Sequence, residues 1–388
     1  MFQFTTLPPL SLYIHLPWCV RKCPYCDFNS HAPREGEPLP ERAYVEALLR
    51  DVECELPLIW GRSIESVFIG GGTPSLFSAE ALDALLSGLR ARLRLLPGIE
   101  ITLEANPGTV EAGRFAEYRA LGINRLSIGV QSFDDERLRA LGRIHGGREA
   151  ILAAEVAHAA GFDNFNLDLM FGLPGQTLNG ALADLEQGLA LCPTHLSWYQ
   201  LTLEPNTLFH ARPPVLPDDE RIADMQEAGV SRLTEAGFAP YEVSAYAREG
   251  RRCRHNLNYW EFGDYLGIGA GAHGKLTLPA EQRIIRRARL RSPEVFMAHA
   301  GQAAAFEEQS VNWKEAPFEF MLNALRLHEG FPSALFQERT GLPISVVRQA
   351  LEKAEAKGLI DWQLTHIRPT VLGARFLNDV ITLFLPER

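Results

Sequence analysis

Along the first two hundred residues the chain alternates between two apolar periods. Ser11-Leu-Tyr-Ile-His-Leu16 is a short strand-like run closed by Pro17. Glu41 to Leu56 carries Tyr44, Leu48, Leu49 and Val52 at helical spacing. The same exchange recurs. Ser66 to Gly70 is strand-like and Ala79 to Leu96 helical, then Ile99 to Ala105 strand-like and Val110 to Leu121 helical. Arg125 to Val130 and Arg148 to Ala160 follow, then Phe165 to Met170 and Thr177 to Leu191, and finally the strand-like His195 to Leu201. Six βα units with short connections predict an α/β fold, a parallel sheet covered by helices. The pattern alone leaves open whether the sheet is a doubly wound one or a partial, open (β/α)6 barrel.

Further on the pattern changes. A charge-rich stretch, Gln282 to Ser292, reads as a loop that separates the barrel from the tail. From Pro317 the periodicity predicts helices over Phe318–Leu327, Pro332–Thr340 and Ile344–Lys357. A hairpin from Gly358-Leu-Ile-Asp-Trp362 and Thr365-His-Ile-Arg368 comes next, then a last helix from Val371 to about Leu383. Three helices and a hairpin make a winged-helix-like unit, which raises DNA binding. Charge argues against it: from Trp313 to Arg388 there are nine Lys or Arg and nine Asp or Glu, whereas a DNA reader presents a basic face. The boundaries expected are a barrel over residues 1–250, a joining segment over 251–312 and a helical, winged-helix-like domain over 313–388.

The whole chain has 388 residues and a net charge of -10, which disfavours nucleic acid as a partner. It has 46% hydrophobic and 22% charged residues, the balance of a globular protein and not of a disordered or fibrous one. No run approaches the roughly 18 apolar residues of a membrane span, and no secretory signal is visible before Leu10, so the expected location is the cytoplasm. Six cysteines are too few for a disulfide scaffold. In a reducing compartment a cluster of them asks for a metal or redox explanation.

Three of the six are clustered: Cys19-Val-Arg-Lys-Cys23-Pro-Tyr-Cys26, on a loop just after the first strand. A structural zinc asks for four closed ligands. His15, His31 and Asp27 are the nearest candidates for a fourth, none at a usual spacing. A [4Fe-4S] cubane held by three thiolates keeps one iron open to another ligand. Both readings, and that of unbound thiols, stay open on spacing alone. Cys54 and Cys192 read as small buried hydrophobes. If the fold is a barrel, the chemistry belongs at the C-terminal strand ends. Polar features do collect there: Gly70-Gly-Gly-Thr-Pro74, Glu104-Ala-Asn-Pro107, Gln131-Ser-Phe133, and Asp168 ahead of Phe171-Gly-Leu-Pro-Gly175. The glycines let a ligand approach the backbone, and no Lys-Ser/Thr follows to make a phosphate loop.

The Cys-x-x-x-Cys-x-x-Cys motif with an aromatic before its last cysteine resembles that of radical S-adenosylmethionine (SAM) proteins. The resemblance favours the open barrel. It implies that Cys19, Cys23 and Cys26 hold a [4Fe-4S] cluster whose open iron binds SAM, cleaved on one-electron reduction to a 5′-deoxyadenosyl radical. Read together, Tyr13-Ile-His-Leu-Pro-Trp-Cys19, Ile69-Gly-Gly-Gly-Thr-Pro-Ser75, Glu104-Ala-Asn-Pro-Gly108, Ser127-Ile-Gly-Val-Gln-Ser-Phe133, Leu141-Gly-Arg-Ile-His145 and Asp168-Leu-Met-Phe-Gly-Leu-Pro-Gly175 resemble the oxygen-independent coproporphyrinogen III oxidase family over nearly the whole chain. That likeness implies that Tyr13, Tyr25, Gly71 and Glu104 contact the cluster-bound SAM, and that Gly72, Thr73, Gln131, Arg143 and Asp168 match a second SAM site.

Two branches of that family compete. The oxidases turn two propionates of coproporphyrinogen III into vinyls; the other branch consists of heme chaperones. Three features lean to the chaperones. Position 28 is Phe28 where the oxidases extend the motif with another cysteine. Little chain precedes Cys19, where oxidases carry a longer N-terminal region. And His255-Asn256-Leu-Asn-Tyr259-Trp260 is similar to the chaperone motif His-Asn-x-x-Tyr-Trp. An imidazole is a common axial ligand of heme iron, and Tyr and Trp offer flat apolar faces with polar tips. So His255, Asn256, Tyr259 and Trp260 are the expected heme contacts, His255 the favoured ligand and Cys253 a lesser one. Arg248, Arg251, Arg252 and Arg254, with Arg283, Arg286, Arg287, Arg289 and Arg291, suit heme propionates. The expected role is capture of heme and transfer to an acceptor protein, with a membrane respiratory enzyme as one candidate and a homodimer as one assembly. Coproporphyrinogen III oxidation is the alternative.

Overall fold

The computed structural model describes residues 2–33, 36–108 and 113–386. Six strands run parallel in chain order: β1 (Leu10–Leu16), β2 (Ser63–Gly71), β3 (Arg94–Ala105), β4 (Arg125–Gln131), β5 (Phe165–Phe171) and β6 (His195–Gln200). Two further strands, β7 (Ala239–Glu242) and β8 (Ala245–Ala247), close the β6 side antiparallel. Beyond β1 the sheet grows through β9 (Asp264–Ile268), parallel to β1, then β10 (His273–Leu278), β11 (Arg283–Arg289) and β12 (Phe306–Ser310), antiparallel. The order β12-β11-β10-β9-β1-β2-β3-β4-β5-β6-β8-β7 has two free ends, so the barrel is open.

The period of two on each strand sorts the side chains. Leu12, Ile14, Val67, Ile69, Ile101, Leu103, Leu126, Ile128, Leu167, Leu169, Leu196 and Trp198 join the large apolar core beneath the helices. The intervening positions are polar yet buried, among them Ser11, Ser66, Thr102, Arg125, Ser127, Asn166 and His195. Five of them satisfy one another: Ser11 with Ser66 at 2.8 Å, Asn166 Nδ2 to Ser127 Oγ at 2.8 Å, Asn166 Oδ1 with His195 Nδ1 at 2.7 Å; Thr102 Oγ1 and Arg125 Nε have no partner among the described residues. A buried polar group without a partner costs about 1–3 kcal/mol. The barrel lumen is therefore polar and largely hydrogen-bonded, and it opens upward onto the C-terminal strand ends. The covering helices start at capped positions, such as Ser78, Thr177 and Asp218, whose side chains accept a free first-turn N–H.

The tail packs around Phe320, Phe331, Phe336, Leu351 and Ile367, a core that Phe262 and Ile284 of β11 join from the sheet side. Helices Ala316–Ala324, Ser333–Thr340 and Arg348–Ala356 surround a small antiparallel sheet of β13 (Phe331–Pro332), β14 (Ile360–Trp362) and β15 (His366–Pro369), ordered β13-β15-β14. Phe2 and Phe4 from the chain start pack into the same core. Among the described residues no helix is long and apolar enough to cross a membrane.

Several predicted boundaries move. The helix expected to run to Leu96 ends at Arg92, because Arg94 and Leu95 pair with Ser63 and Ile64 of β2. The start of the helix predicted from Val110 lies outside the described residues, and its ordered part is Phe115–Ala120. The last helix breaks at Phe376 into Val371–Arg375 and Leu377–Thr382. The charge-rich stretch at Gln282–Ser292 is not a loop. It is β11, whose Ile284 and Ile285 are buried and whose arginines find carboxylates: Arg289 with Asp51 and Glu55, Arg287 with Glu55 and Glu308, Arg286 with Glu319. Nor are Cys54 and Cys192 buried: Cys54 is half-exposed and Cys192 exposed.

Candidate functional site

At the upper edge of the sheet lies a cavity of about 570 Å³. The chain reaches its wall by the loop after β1. Cys19 N donates to His31 O at 3.0 Å, Cys26 N to Cys23 O at 3.2 Å, and Phe209 N to Pro24 O at 3.0 Å, so the loop is pinned at both sides. Cys19, Cys23 and Cys26 all face the cavity as free thiols. Two donors reach their sulfurs: Thr73 Oγ1 to Cys19 Sγ at 3.5 Å and Arg143 Nη1 to Cys23 Sγ at 3.8 Å. Burial pushes the Cys19 and Cys26 thiols up, Thr73 acting against it at Cys19. Among the described residues no three His, Cys, Asp or Glu side chains converge on a single metal ion. Three thiols facing one cavity are the donor set of a [4Fe-4S] cluster that keeps one iron open.

Opposite the cysteines stand the strand ends. Gly72 N donates to Leu16 O and Thr73 N to Trp18 O, stitching the glycine turn to the root of the cysteine loop. A side chain is excluded there. Gly71 sits at φ +118 with the His15 ring 2.6 Å from any Cβ, and a Cβ on Gly72 would meet Trp18 O at 2.5 Å. Gly71 N donates to Glu104 Oε2 at 2.9 Å. Burial raises the Glu104 carboxyl to about 7, the Gly71 bond opposing and Asp168 adding to the shift. Asp168 is also raised, chiefly by burial, while Asn166 and Ser127 donate to it at 2.8 and 3.2 Å.

Arg143 organises the centre. Nη2 donates to Asn106 Oδ1 and to Gly129 O, each at 2.7 Å, and Asn106 Nδ2 passes the chain on to Thr73 Oγ1 at 2.8 Å. Its Nε is buried without a partner among the described residues, a donor left over for a ligand. Gln131 adopts φ 70, strained backbone for a non-glycine residue, and accepts from Tyr199 OH at 2.8 Å. Tyr25, Asn256 and Trp260 complete the wall.

The predicted residues thus divide. Cys19, Cys23, Cys26, Tyr25, Gly71, Gly72, Thr73, Glu104, Gln131, Arg143, Asp168, Asn256 and Trp260 share the first cavity. Tyr13 and Tyr259 line a neighbouring one of about 470 Å³, to which Gly71 and Glu104 are common. His255 lines neither. It is buried, with Nδ1 bonded to Ser66 Oγ at 3.0 Å and Nε2 to Tyr259 OH at 2.9 Å, and burial lowers its pKa to about 3. The imidazole expected to be open for a ligand is occupied on both nitrogens. Cys253 is buried beside Glu100. Of the arginines expected for propionates, Arg252 pairs with Glu329 and Arg251 with Asp163, besides those of β11. Sequence reasoning missed Asn166, Tyr199, Glu242 and Arg326. The alternation of β5 and β6 carries a signal for the first two. Arg326 comes from the C-terminal unit, where only folding shows that it covers Trp260 at 4.3 Å.

A three-cysteine loop above an open parallel sheet defines the class. The model of the radical SAM superfamily matches residues 13–187, and that of the HemN C-terminal domain matches residues 311–376. The chain is 54% identical to the heme chaperone HemW of Escherichia coli and 50% identical to that of Haemophilus influenzae, each over 98% of this chain and 99% of the relative. It is 34% identical to HemW of Mycobacterium tuberculosis over 96% of this chain and 94% of that protein. The chain belongs to the HemW family of radical SAM proteins. Among solved structures, the E. coli coproporphyrinogen III oxidase HemN superimposes with a TM-score of 0.80 over 97% of this chain and 90% of that one, at 22% identity, a likeness of fold.

Proposed function

We propose that this protein is a heme chaperone that carries a SAM-liganded [4Fe-4S] cluster and hands heme to an acceptor protein. The observation that carries the reading is the full-length identity to HemW proteins, joined to three thiols, two sulfur-directed donors and an unpartnered Arg143 Nε in one cavity. Cys19, Cys23 and Cys26 are the cluster ligands. A cluster so held keeps one iron open and, with SAM on it, supplies one-electron chemistry. Glu104, held in place by the Gly71 N–H, takes the ammonium of the methionine part, and Tyr25 and Tyr13 flank it. Thr73, Gln131, Arg143, Asp168 and Gly72 are the candidates for a second SAM. Heme is the cargo, served by the segment that carries His255, Asn256, Tyr259 and Trp260: Tyr259 faces the second cavity, Asn256 and Trp260 face the cysteine cavity, and His255 acts through Tyr259. The acceptor, a respiratory membrane enzyme among the candidates, docks in the cytoplasm, and a homodimer is a natural assembly for the exchange.

An anaerobic assay separates this from the oxidase alternative. Reconstituted protein receives coproporphyrinogen III, SAM and a low-potential reductant. The expected result is no decarboxylated porphyrin from a preparation with a filled cluster. Protoporphyrinogen in catalytic yield would overturn the chaperone reading.

Glu104 gives a second test. Only its ionised form neutralises the ammonium of SAM, and its carboxyl sits at about 7. SAM affinity is therefore expected to rise as pH climbs from 6 to 8 and to fall by up to about tenfold per unit below 7. Glu104→Gln should flatten that dependence and weaken binding at pH 8. Anaerobic calorimetry across the range checks this, and a flat wild-type profile would remove Glu104 from the SAM site.

A further inference from the structure

The second cavity, of about 470 Å³, is a site in its own right. It abuts the cysteine cavity through Asp27, Phe28, Gly71 and Glu104 but opens between β1, β9 and β10, and Tyr259 of the His-Asn-x-x-Tyr-Trp segment lines it. We propose that heme docks in this cavity with His273 as the ligand to its iron and Arg291 as the partner of a propionate.

Three features carry the assignment. The first is the wall. Tyr259 and Tyr265 meet edge to face, centroids 4.6 Å apart at 88°, and Phe28, 59% exposed, lines the same cavity. A flat apolar macrocycle needs aromatic walls of this kind. The second is the ligand. Of the histidines near the two cavities, His255 is bonded on both nitrogens, and His15 is held by Tyr13 OH and Asn29 O, each at 2.9 Å. His273 lies at the mouth, and among the described residues no hydrogen bond reaches its ring. Burial first, then Arg291 and Arg286, lowers its pKa, which keeps the imidazole neutral as iron coordination requires. The third is the counter-charge. Arg283, Arg286, Arg287 and Arg289 are each committed to carboxylates. Arg291, exposed on the same rim, enters no ion pair among the described residues. A guanidinium so placed takes a carboxylate bidentately. The shared Glu104 wall sets the cargo beside the SAM site.

This inference rests on the heme-chaperone reading, so its test keeps the two apart. Hemin is titrated into the full-length wild type and into His273→Ala and Arg291→Ala, and transfer to apomyoglobin is timed. Both substitutions lie on exposed side chains, and far-UV dichroism verifies the fold. His273→Ala is expected to shift the Soret band and to speed heme loss about tenfold or more, and added imidazole should restore the band. Arg291→Ala should keep the band and release heme faster. A wild-type band and transfer rate in His273→Ala would overturn the site while leaving the chaperone reading intact. A wild type that takes up no heme would overturn both.

Discussion

Replacing Cys23 by Ala is expected to bring iron and acid-labile sulfide close to zero, against about four of each per chain in the anaerobically reconstituted wild type. The effect is large because the three thiols act as a unit. Cys23 alone accepts from Arg143, which also ties Asn106 and, through it, Thr73 and Cys19. With Cys23 as a cluster ligand, as proposed, losing this thiolate would expose a second iron, and it removes the sulfur that anchors Arg143 at the cavity. Cys19→Ala and Cys26→Ala should behave alike. Cys253→Ala, at a buried site outside the cavity, and Cys192→Ser, on the surface, should retain the full complement. Iron and sulfide analysis with the visible spectrum decides. A Cys23→Ala protein with wild-type iron would show that the loop is not the cluster site.

How much of this was legible beforehand depends on range. The β1 to β6 strands and their helices follow from local periodicity, and the cysteine loop from spacing within eight residues. What failed is what only distant partners decide. Arg287 and Arg289 read in the sequence as part of a charge-rich loop and as partners for heme propionates, and no local signal tells that Asp51 and Glu55, over two hundred residues earlier, wait beneath β11. The helix read to Leu96 continued an apolar spacing that pairing with β2 interrupts. His255 shows the same limit at the site. The motif places an imidazole beside aromatics, but the depth of β2 and the Ser66 hydroxyl settle whether its nitrogens are free. Conversely, the polar residues of the lumen were visible as alternate positions on each strand. Their meaning was hidden until the sheet curved to bring Asn166, Ser127, His195 and Asp168 together.

The largest effect on stability is expected from Asp264→Ala, a loss of about 3–5 kcal/mol. Asp264 is fully buried at the start of β9. Its carboxylate accepts from Lys275 Nζ, Thr277 N, Thr277 Oγ1 and Arg62 Nη1, each at 2.9 Å. Burial opposes its charge, but Lys275 and Arg62 outweigh that and hold the carboxyl below the usual range. Its contribution is therefore present above the unfolded value near 3.9 and is lost as pH falls through the lower folded value. Removing the acid strands a buried ammonium, whose burial already lowers the Lys275 pKa. The cost comes from that uncompensated charge more than from the lost attraction. Adding Lys275→Met to Asp264→Ala should therefore return part of the stability, which a merely space-filling role would not predict. The start of β9 also holds the helix Arg254–Trp260: the main-chain Asp264 O, which the substitution keeps, accepts from Asn258 Nδ2 at 2.8 Å, so Tyr259 and Trp260 are disturbed only as far as β9 itself loosens. Urea unfolding of the single and double variants at pH 7 reads the first effect, and hemin uptake at low urea reads the second. An Asp264→Ala midpoint equal to that of the wild type would show that the Lys275 charge finds another partner and that β9 is held by its apolar face alone.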